Sequence, residues 1–144
     1  MGGGMRRFDD AELLLIAWAR SEIGKPFAWG ETNCVSLALR ALDVQCGSDL
    51  SDRYRRNMSS ERRAMAWVAR NGLAGLVQKF IAEGCVEVAP SFIRAGDIAL
   101  VEMPGNIGAS IYLGRNFLSV SGERGVHQLR PAELVEPSVV IGVR

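Results

Sequence analysis

The sequence predicts an α+β protein in which N-terminal helices pack on a C-terminal antiparallel sheet. Apolar residues recur at helical spacing up to Gly84, whereas from Cys85 onward they form short alternating or β-branched runs separated by turn residues. The 144 residues suit one hydrophobic core. We therefore expect a single domain over residues 1–144, with residues 1–8 as an N-terminal tail.

The first half of the chain predicts four helices, each with a polar cap before an apolar stripe and a stop signal after it. They are expected from Asp9 or Asp10 to Gly24-Lys25-Pro26, from Thr32 or Asn33 to Gly47-Ser48-Asp49, from Ser59-Ser60-Glu61 to Asn71-Gly72, and from Leu73 to Glu83. The stripe of the first helix is predicted to contain Leu13, Leu14, Ala17, Trp18 and Ile23. The spacing of the three tryptophans, Trp18, Trp29 and Trp67, favours packing in the core.

The second half predicts six short strands joined by tight turns, as in an antiparallel meander. They are expected at Cys85–Ala89, Ile98–Glu102, Gly108–Leu113, Phe117–Val120, Val126–Leu129 and Val139–Val143. Turn residues such as Pro104-Gly105-Asn106 and Gly114-Arg115-Asn116 separate them.

Composition excludes several classes of function. A net charge of +1 lacks the basic excess that general nucleic-acid binders need. One histidine and three cysteines without a CxxC pair match no zinc-binding pattern, so we expect neither a metal nor a cofactor. The longest apolar run, Leu13–Ala19, is too short to cross a membrane, and no membrane segment is expected.

Cys34 is the residue whose position most suggests chemistry. It lies at a predicted helix N terminus, where unpaired N–H groups and the helix dipole favour a thiolate. A nucleophilic cysteine also needs a base, and His127 is the only imidazole in the chain. The alternatives are a structural thiol at Cys34 and a strand-end histidine at His127.

Four segments in order resemble the NlpC/P60 family of papain-like cysteine peptidases. Gly30-Glu31-Thr32-Asn33-Cys34-Val35-Ser36-Leu37 is similar to its nucleophile helix, and Arg94-Ala95-Gly96-Asp97-Ile98-Ala99-Leu100 to the start of a strand. Gly108-Ala109-Ser110-Ile111-Tyr112-Leu113-Gly114 resembles its histidine-bearing strand, and Gly125-Val126 opens the next. Tyr54-Arg55 is also found in the small members that phage and prophage tail modules encode.

The resemblance implies a papain-like NlpC/P60 fold whose catalytic residues are incomplete. Cys34 matches the nucleophile, but the catalytic histidine of the family falls on Gly108 and the third, orienting residue near Ser119. A glycine has no side chain to act as a base, and general acid–base help is typically worth about 10²–10⁴-fold. His127 is the one imidazole that could replace it.

Three functional hypotheses follow from the resemblance. The first is a catalytically inactive structural component of a phage tail tip or baseplate, which contacts other tail proteins in the virion after synthesis in the host cytoplasm. The second is a peptidoglycan-cleaving cysteine endopeptidase for cell-wall penetration, with Cys34 as nucleophile. The third is a module that binds peptide or glycan without cleaving it.

One basic cluster fits either a solvated or partner-facing surface or a nucleic-acid or anion site. Its members are Arg53, Arg55, Arg56, Arg62 and Arg63.

Overall fold

The computed structural model describes residues 5–144 and has an α+β architecture, as the sequence predicts. Four helices precede a six-stranded antiparallel sheet along the chain. Residues 1–4 of the predicted tail lie outside the described residues. In the described part of the predicted tail, residues 5–8, the Phe8 N–H donates a hydrogen bond to the Gln45 carbonyl at 2.8 Å. No helix between residues 5 and 144 is long and apolar enough to span a membrane.

The four α-helices are α1 (Ala11–Glu22), α2 (Cys34–Cys46), α3 (Leu50–Tyr54) and α4 (Glu61–Ala82). Three of the four begin and end close to predicted caps and stops, and the third and fourth predicted helices are the two parts of α4 on either side of Gly72. The predicted break at Gly72 is confirmed, because this residue has φ 65° and ψ −173° inside α4, a positive-φ conformation that glycine adopts readily.

The short helix α3 is not predicted from the sequence, since its initiation depends on a side chain of α2. One Asp43 oxygen accepts the N–H of Leu50 at 2.8 Å, and the other accepts the N–H of Ser51 at 3.0 Å. A carboxylate on a neighbouring helix therefore satisfies the N–H groups that a local cap usually binds.

The predicted apolar stripe of α1 is wrong. Leu13 is 75% exposed, whereas the buried face consists of Ala11, Leu15, Ala19 and Glu22. Alanines at this spacing allow α1 to approach α2 closely. Burying Glu22 becomes favourable because Arg40 of α2 and Lys25 both pair with its carboxylate.

The six strands form one antiparallel sheet in the order β1-β6-β2-β3-β4-β5. They are β1 (Val86–Val88), β2 (Ile98–Met103), β3 (Asn106–Tyr112), β4 (Phe117–Ser121), β5 (Gly125–Leu129) and β6 (Val139–Gly142). The last strand in sequence, β6, therefore lies between β1 and β2. The sequence pattern of β6 does not predict this position. At the β5 edge, Val126 exchanges two backbone hydrogen bonds with Gly24 and Lys25, which covers part of that edge.

Helix α2 lies at the centre of the core and contacts α1, α3, β3 and β4. Its buried residues are Val35, Ser36, Leu37, Ala38, Leu39, Ala41, Leu42 and Gln45. The Gln45 side-chain amide also donates to the Gly96 carbonyl at 3.2 Å, just before β2. Gly96 has φ 100°, and a Cβ at this position would collide with that amide. Glycine is therefore required at this junction of helix and sheet.

Asp97 joins the start of β2 to the last residue of the chain. Its buried carboxylate accepts two hydrogen bonds from Arg144, at 2.6 and 2.7 Å, and one from the Arg94 N–H at 2.9 Å. This bidentate pair holds the end of β6 against the turn before β2.

We expect Asp97→Asn to lower the free energy of unfolding by about 1.5–3 kcal/mol, because a neutral amide cannot accept both charge-assisted hydrogen bonds from Arg144. Chemical denaturation measures this. Asp49→Asn is the matched control, since it removes an exposed pair with Arg53 and should change stability by less than about 0.5 kcal/mol. Equal losses in the two variants would contradict the structural role of Asp97.

Candidate functional site

A groove of about 570 Å³ runs between α4, the start of α2 and strands β2 to β5. The four residues that the sequence singled out, Cys34, Gly108, Ser119 and His127, all line it. The fold therefore brings together one position from a helix and three from three different strands.

Cys34 is the first residue of α2, and its thiol points to the backbone of β3. The Cys34 Sγ donates to the Ile107 carbonyl at 3.5 Å. Just before it, the Asn33 side chain accepts the Gly30 N–H at 2.9 Å, so this side chain orders the preceding turn.

An interruption in the sheet makes room for this thiol. Strands β2 and β3 pair over six residues each, but β3 and β4 pair only at Ile111–Leu118 and Tyr112–Phe117. Backbone groups of β3 before Ile111 that face β4 thus lack strand partners there. Cys34 hydrogen-bonds one of them, the Ile107 carbonyl, so the thiol replaces part of the missing ladder.

Burial raises the pKa of the Cys34 thiol above its ordinary value. Backbone N–H groups of Ala109, Val35 and Cys34 favour the thiolate, but burial outweighs them. The sequence predicts that the helix N terminus favours the thiolate of Cys34 and so lowers its pKa. The net shift of this pKa in the structure is upward instead. A thiol with this pKa is neutral and weakly nucleophilic at neutral pH.

Gly108 follows Ile107, whose carbonyl accepts the Cys34 hydrogen bond, and it lines the same groove. A Cβ at Gly108 would meet only the flexible end of Met103 at 3.2 Å, with Val101 atoms at 4.0 Å. No left-handed φ constrains this residue. The backbone at position 108 could therefore accommodate a side chain, although the residue there is glycine.

A row of polar side chains crosses the sheet beside the groove. Ser119 is directly opposite His127 in the β4–β5 register, so the two side chains lie on the same face. Ser110 and Ser119 share a buried hydrogen bond of 2.6 Å between their hydroxyl oxygens. Sequence analysis missed Ser110, although small polar residues in two neighbouring apolar strands are a detectable signal.

The tautomer of His127 follows from its hydrogen bond. Its Nδ1 lies 2.8 Å from the Gly125 carbonyl oxygen, which can only accept. In the neutral ring Nδ1 therefore carries the proton and Nε2 is left as an acceptor. This half-buried ring is in a form that could accept a proton from a group in the groove.

Most of the remaining groove lining is apolar. It includes Phe27, Trp29, Met65, Trp67, Met103, Leu134 and Val135. The expectation that all three tryptophans pack in the core is confirmed for Trp67 only, since Trp29 is 37% exposed at the groove and Trp18 is half-buried beneath Arg40. The groove is thus a hydrophobic surface with a polar row along one side.

The basic cluster is only partly neutralised. Arg53 pairs with Glu83 and Asp49, and Arg55 pairs with Glu31 and Asp52. Arg56, Arg62 and Arg63 are exposed and form no ion pair with any residue between 5 and 144. Within that same range, no group of three His, Cys, Asp or Glu side chains is placed to hold a metal ion.

The chain matches one known family over nearly its whole length. Residues 6–136 match the family described as a domain of unknown function (DUF6950). The chain belongs to this family. No curated protein sequence matches it. The DUF6950 region contains α1 to α4 and β1 to β5, and it therefore includes both walls of the groove.

We expect Cys34 of the folded protein to react with iodoacetamide at pH 7 more slowly than Cys34 of the denatured chain, because its raised pKa leaves less thiolate. Peptide mapping by mass spectrometry distinguishes it from Cys46 and Cys85. The folded state also binds the thiol proton more tightly, so this group contributes stability that is lost as pH rises above the ordinary thiol pKa. Faster alkylation in the folded state would contradict this account.

We expect Gly108→His to increase the rate of Cys34 alkylation at pH 7 by about tenfold, because a neighbouring imidazole lowers a thiol pKa. The matched control is Gly122→His, since Gly122 is exposed and a Cβ added there would have no neighbour within 4 Å. An equal rate in the two variants would show that position 108 does not face the thiol.

Proposed function

We propose that this protein is a catalytically inactive NlpC/P60-like domain that serves as a structural component of a phage tail tip or baseplate. The observation that carries the proposal is the groove itself, which Cys34 and Gly108 both line. In the family that the sequence resembles, the position of Gly108 holds the catalytic base.

The state of the thiol supports a structural role for Cys34. A nucleophile needs a thiolate, or a base that removes the proton during attack. Here burial raises the thiol pKa, and the Cys34 Sγ instead bonds the β3 backbone where the β3–β4 ladder is missing. This hydrogen bond stabilises the contact between α2 and the sheet and does not require Cys34 to be reactive.

Surface features fit contacts with other tail proteins in the virion. Leu13, Phe92 and Val135 each expose about two thirds or more of their surface. Only Lys25 and Lys79 are lysines among the 17 basic residues, and arginine favours bidentate, orientation-specific contacts with partner carboxylates. The assignment to a tail rests on the resemblance of the sequence.

A cysteine endopeptidase that cleaves peptidoglycan is the second candidate, and His127 is the observation that favours it. Its Nε2 is an available acceptor, and Cys34, Ser119 and His127 line one groove. In this mechanism the Cys34 Sγ would attack the peptide carbonyl while His127 accepts the thiol proton. The scissile C–N bond would then break as His127 passes that proton to the leaving amine, and water would hydrolyse the resulting thioester. A groove that binds muropeptide without cleaving it is the third hypothesis from the sequence.

We expect the purified protein to release no muropeptide from peptidoglycan sacculi, because Cys34 has no base at position 108. Chromatography of the soluble products measures this, with a known endopeptidase as positive control. Release that is lost in both Cys34→Ala and His127→Ala would support the peptidase and contradict the proposal. Sedimentation with sacculi in the absence of cleavage would favour the binding module.

We also expect the protein to be present in purified virions of a phage that encodes it, as detected by mass spectrometry. Phage with Cys34→Ser should form plaques with unchanged efficiency, since the smaller polar group keeps the contact with β3. Absence of the protein from intact particles would contradict its role as a tail component.

A further inference from the structure

A second pocket is separate from the groove that contains Cys34. It has a volume of about 400 Å³ and is formed by the segment before α1, the first turn of α1 and the loop before β2. Its charged lining residues are Arg7, Asp9, Glu12 and Arg94. None of them lines the groove.

The Arg7 guanidinium is the unusual feature of this pocket. Its Nε is fully buried and has no hydrogen-bond partner among residues 5–144. The same guanidinium forms no ion pair within that range. Buried polar atoms without a partner are rare in folded proteins, and a charged group has the largest desolvation penalty.

Arg94 provides a second positive charge in the pocket. Its guanidinium donates to the Val143 carbonyl at 3.2 Å, which fixes its position without neutralising it. Burial lowers the pKa of Arg94, and repulsion from Arg144 and Arg7 lowers it further. Asp97 acts in the opposite direction on this pKa, but its carboxylate is already paired with Arg144.

The other lining groups limit the kind of ligand. Neither Asp9 nor Glu12 forms an ion pair with Arg7 or Arg94, although both border the same pocket. Two carboxylates at the border disfavour a dianion more than a monoanion. The N terminus of α1 also borders the pocket, and its dipole favours a negative group.

We propose that Arg7 and Arg94 form a binding site for the carboxylate of a small molecule. The planar fork of a guanidinium matches the two oxygens of a carboxylate, and the single charge suits a pocket that Asp9 and Glu12 border. The ligand would pair with the Nη groups of Arg7, because the chain itself encloses Nε and these groups form no ion pair within residues 5–144.

Nitrogen-15 NMR of the arginine Nε–H groups tests the site, with sodium acetate as the probe at constant ionic strength. We expect the Arg7 Nε–H signal to shift saturably with acetate while that of exposed Arg20 does not. Arg94→Gln should weaken acetate binding at least about tenfold, whereas Arg20→Gln should leave it unchanged. If Arg94→Gln perturbs folding, Arg94→Lys replaces it as the test. Lysine keeps the positive charge but lacks the planar, bidentate guanidinium, so acetate binding should weaken several-fold.

Three results would overturn the proposal. The first is an Arg7 signal that acetate does not shift. The second is a saturable shift with inorganic phosphate at concentrations where acetate has no effect, which would assign the pocket to a dianion. The third is an equal shift of the Arg7 and Arg20 signals with acetate, which would show weak binding to any accessible guanidinium.

Discussion

The burial of α2 between the other helices and the sheet is the contact on which the rest of the structure depends. Eight of its thirteen residues are buried, and it contacts α1, α3, β3 and β4. Each end of the helix is tied to the sheet by a side chain. Cys34 bonds the β3 backbone at the N terminus, and Gln45 bonds Gly96 near the C terminus. The position of the groove follows, because its floor lies where the start of α2 meets β3.

The same arrangement explains why a cysteine at a helix start is not a reactive thiolate here. The helix dipole and nearby N–H groups act on a thiol only in competition with desolvation. Because the start of α2 packs against the sheet, Cys34 is desolvated, and its pKa rises. An imidazole beside the thiol would reverse this balance, and Gly108 provides none.

Buried ion pairs fix the parts of the fold that hydrophobic packing alone leaves undefined. Glu22 pairs with Arg40 and Lys25, which sets the face that α1 presents to α2. Although burial opposes ionisation of Glu22, the hydrogen bonds from Arg40 and Lys25 outweigh it and lower its pKa. Asp97 pairs with Arg144 and orders the chain end. In both pairs the carboxylate is buried and the cation stays partly exposed, which limits the desolvation penalty.

Local pattern in the sequence was sufficient for most of the secondary structure, because caps, glycine stops and alternation act within a few residues. It predicted α2 from Asn33 to Gly47, the break at Gly72 and all six strands. It failed for the buried face of α1, where burial of Glu22 depends on Arg40 of another helix, and for α3, which depends on Asp43. Residue type and the resemblance to the NlpC/P60 family also singled out Cys34, Gly108, Ser119 and His127 as candidate site residues. Only the tertiary structure decided that these four share one groove, because pairing of Ser119 with His127 and the approach of Cys34 to β3 join residues from separate elements.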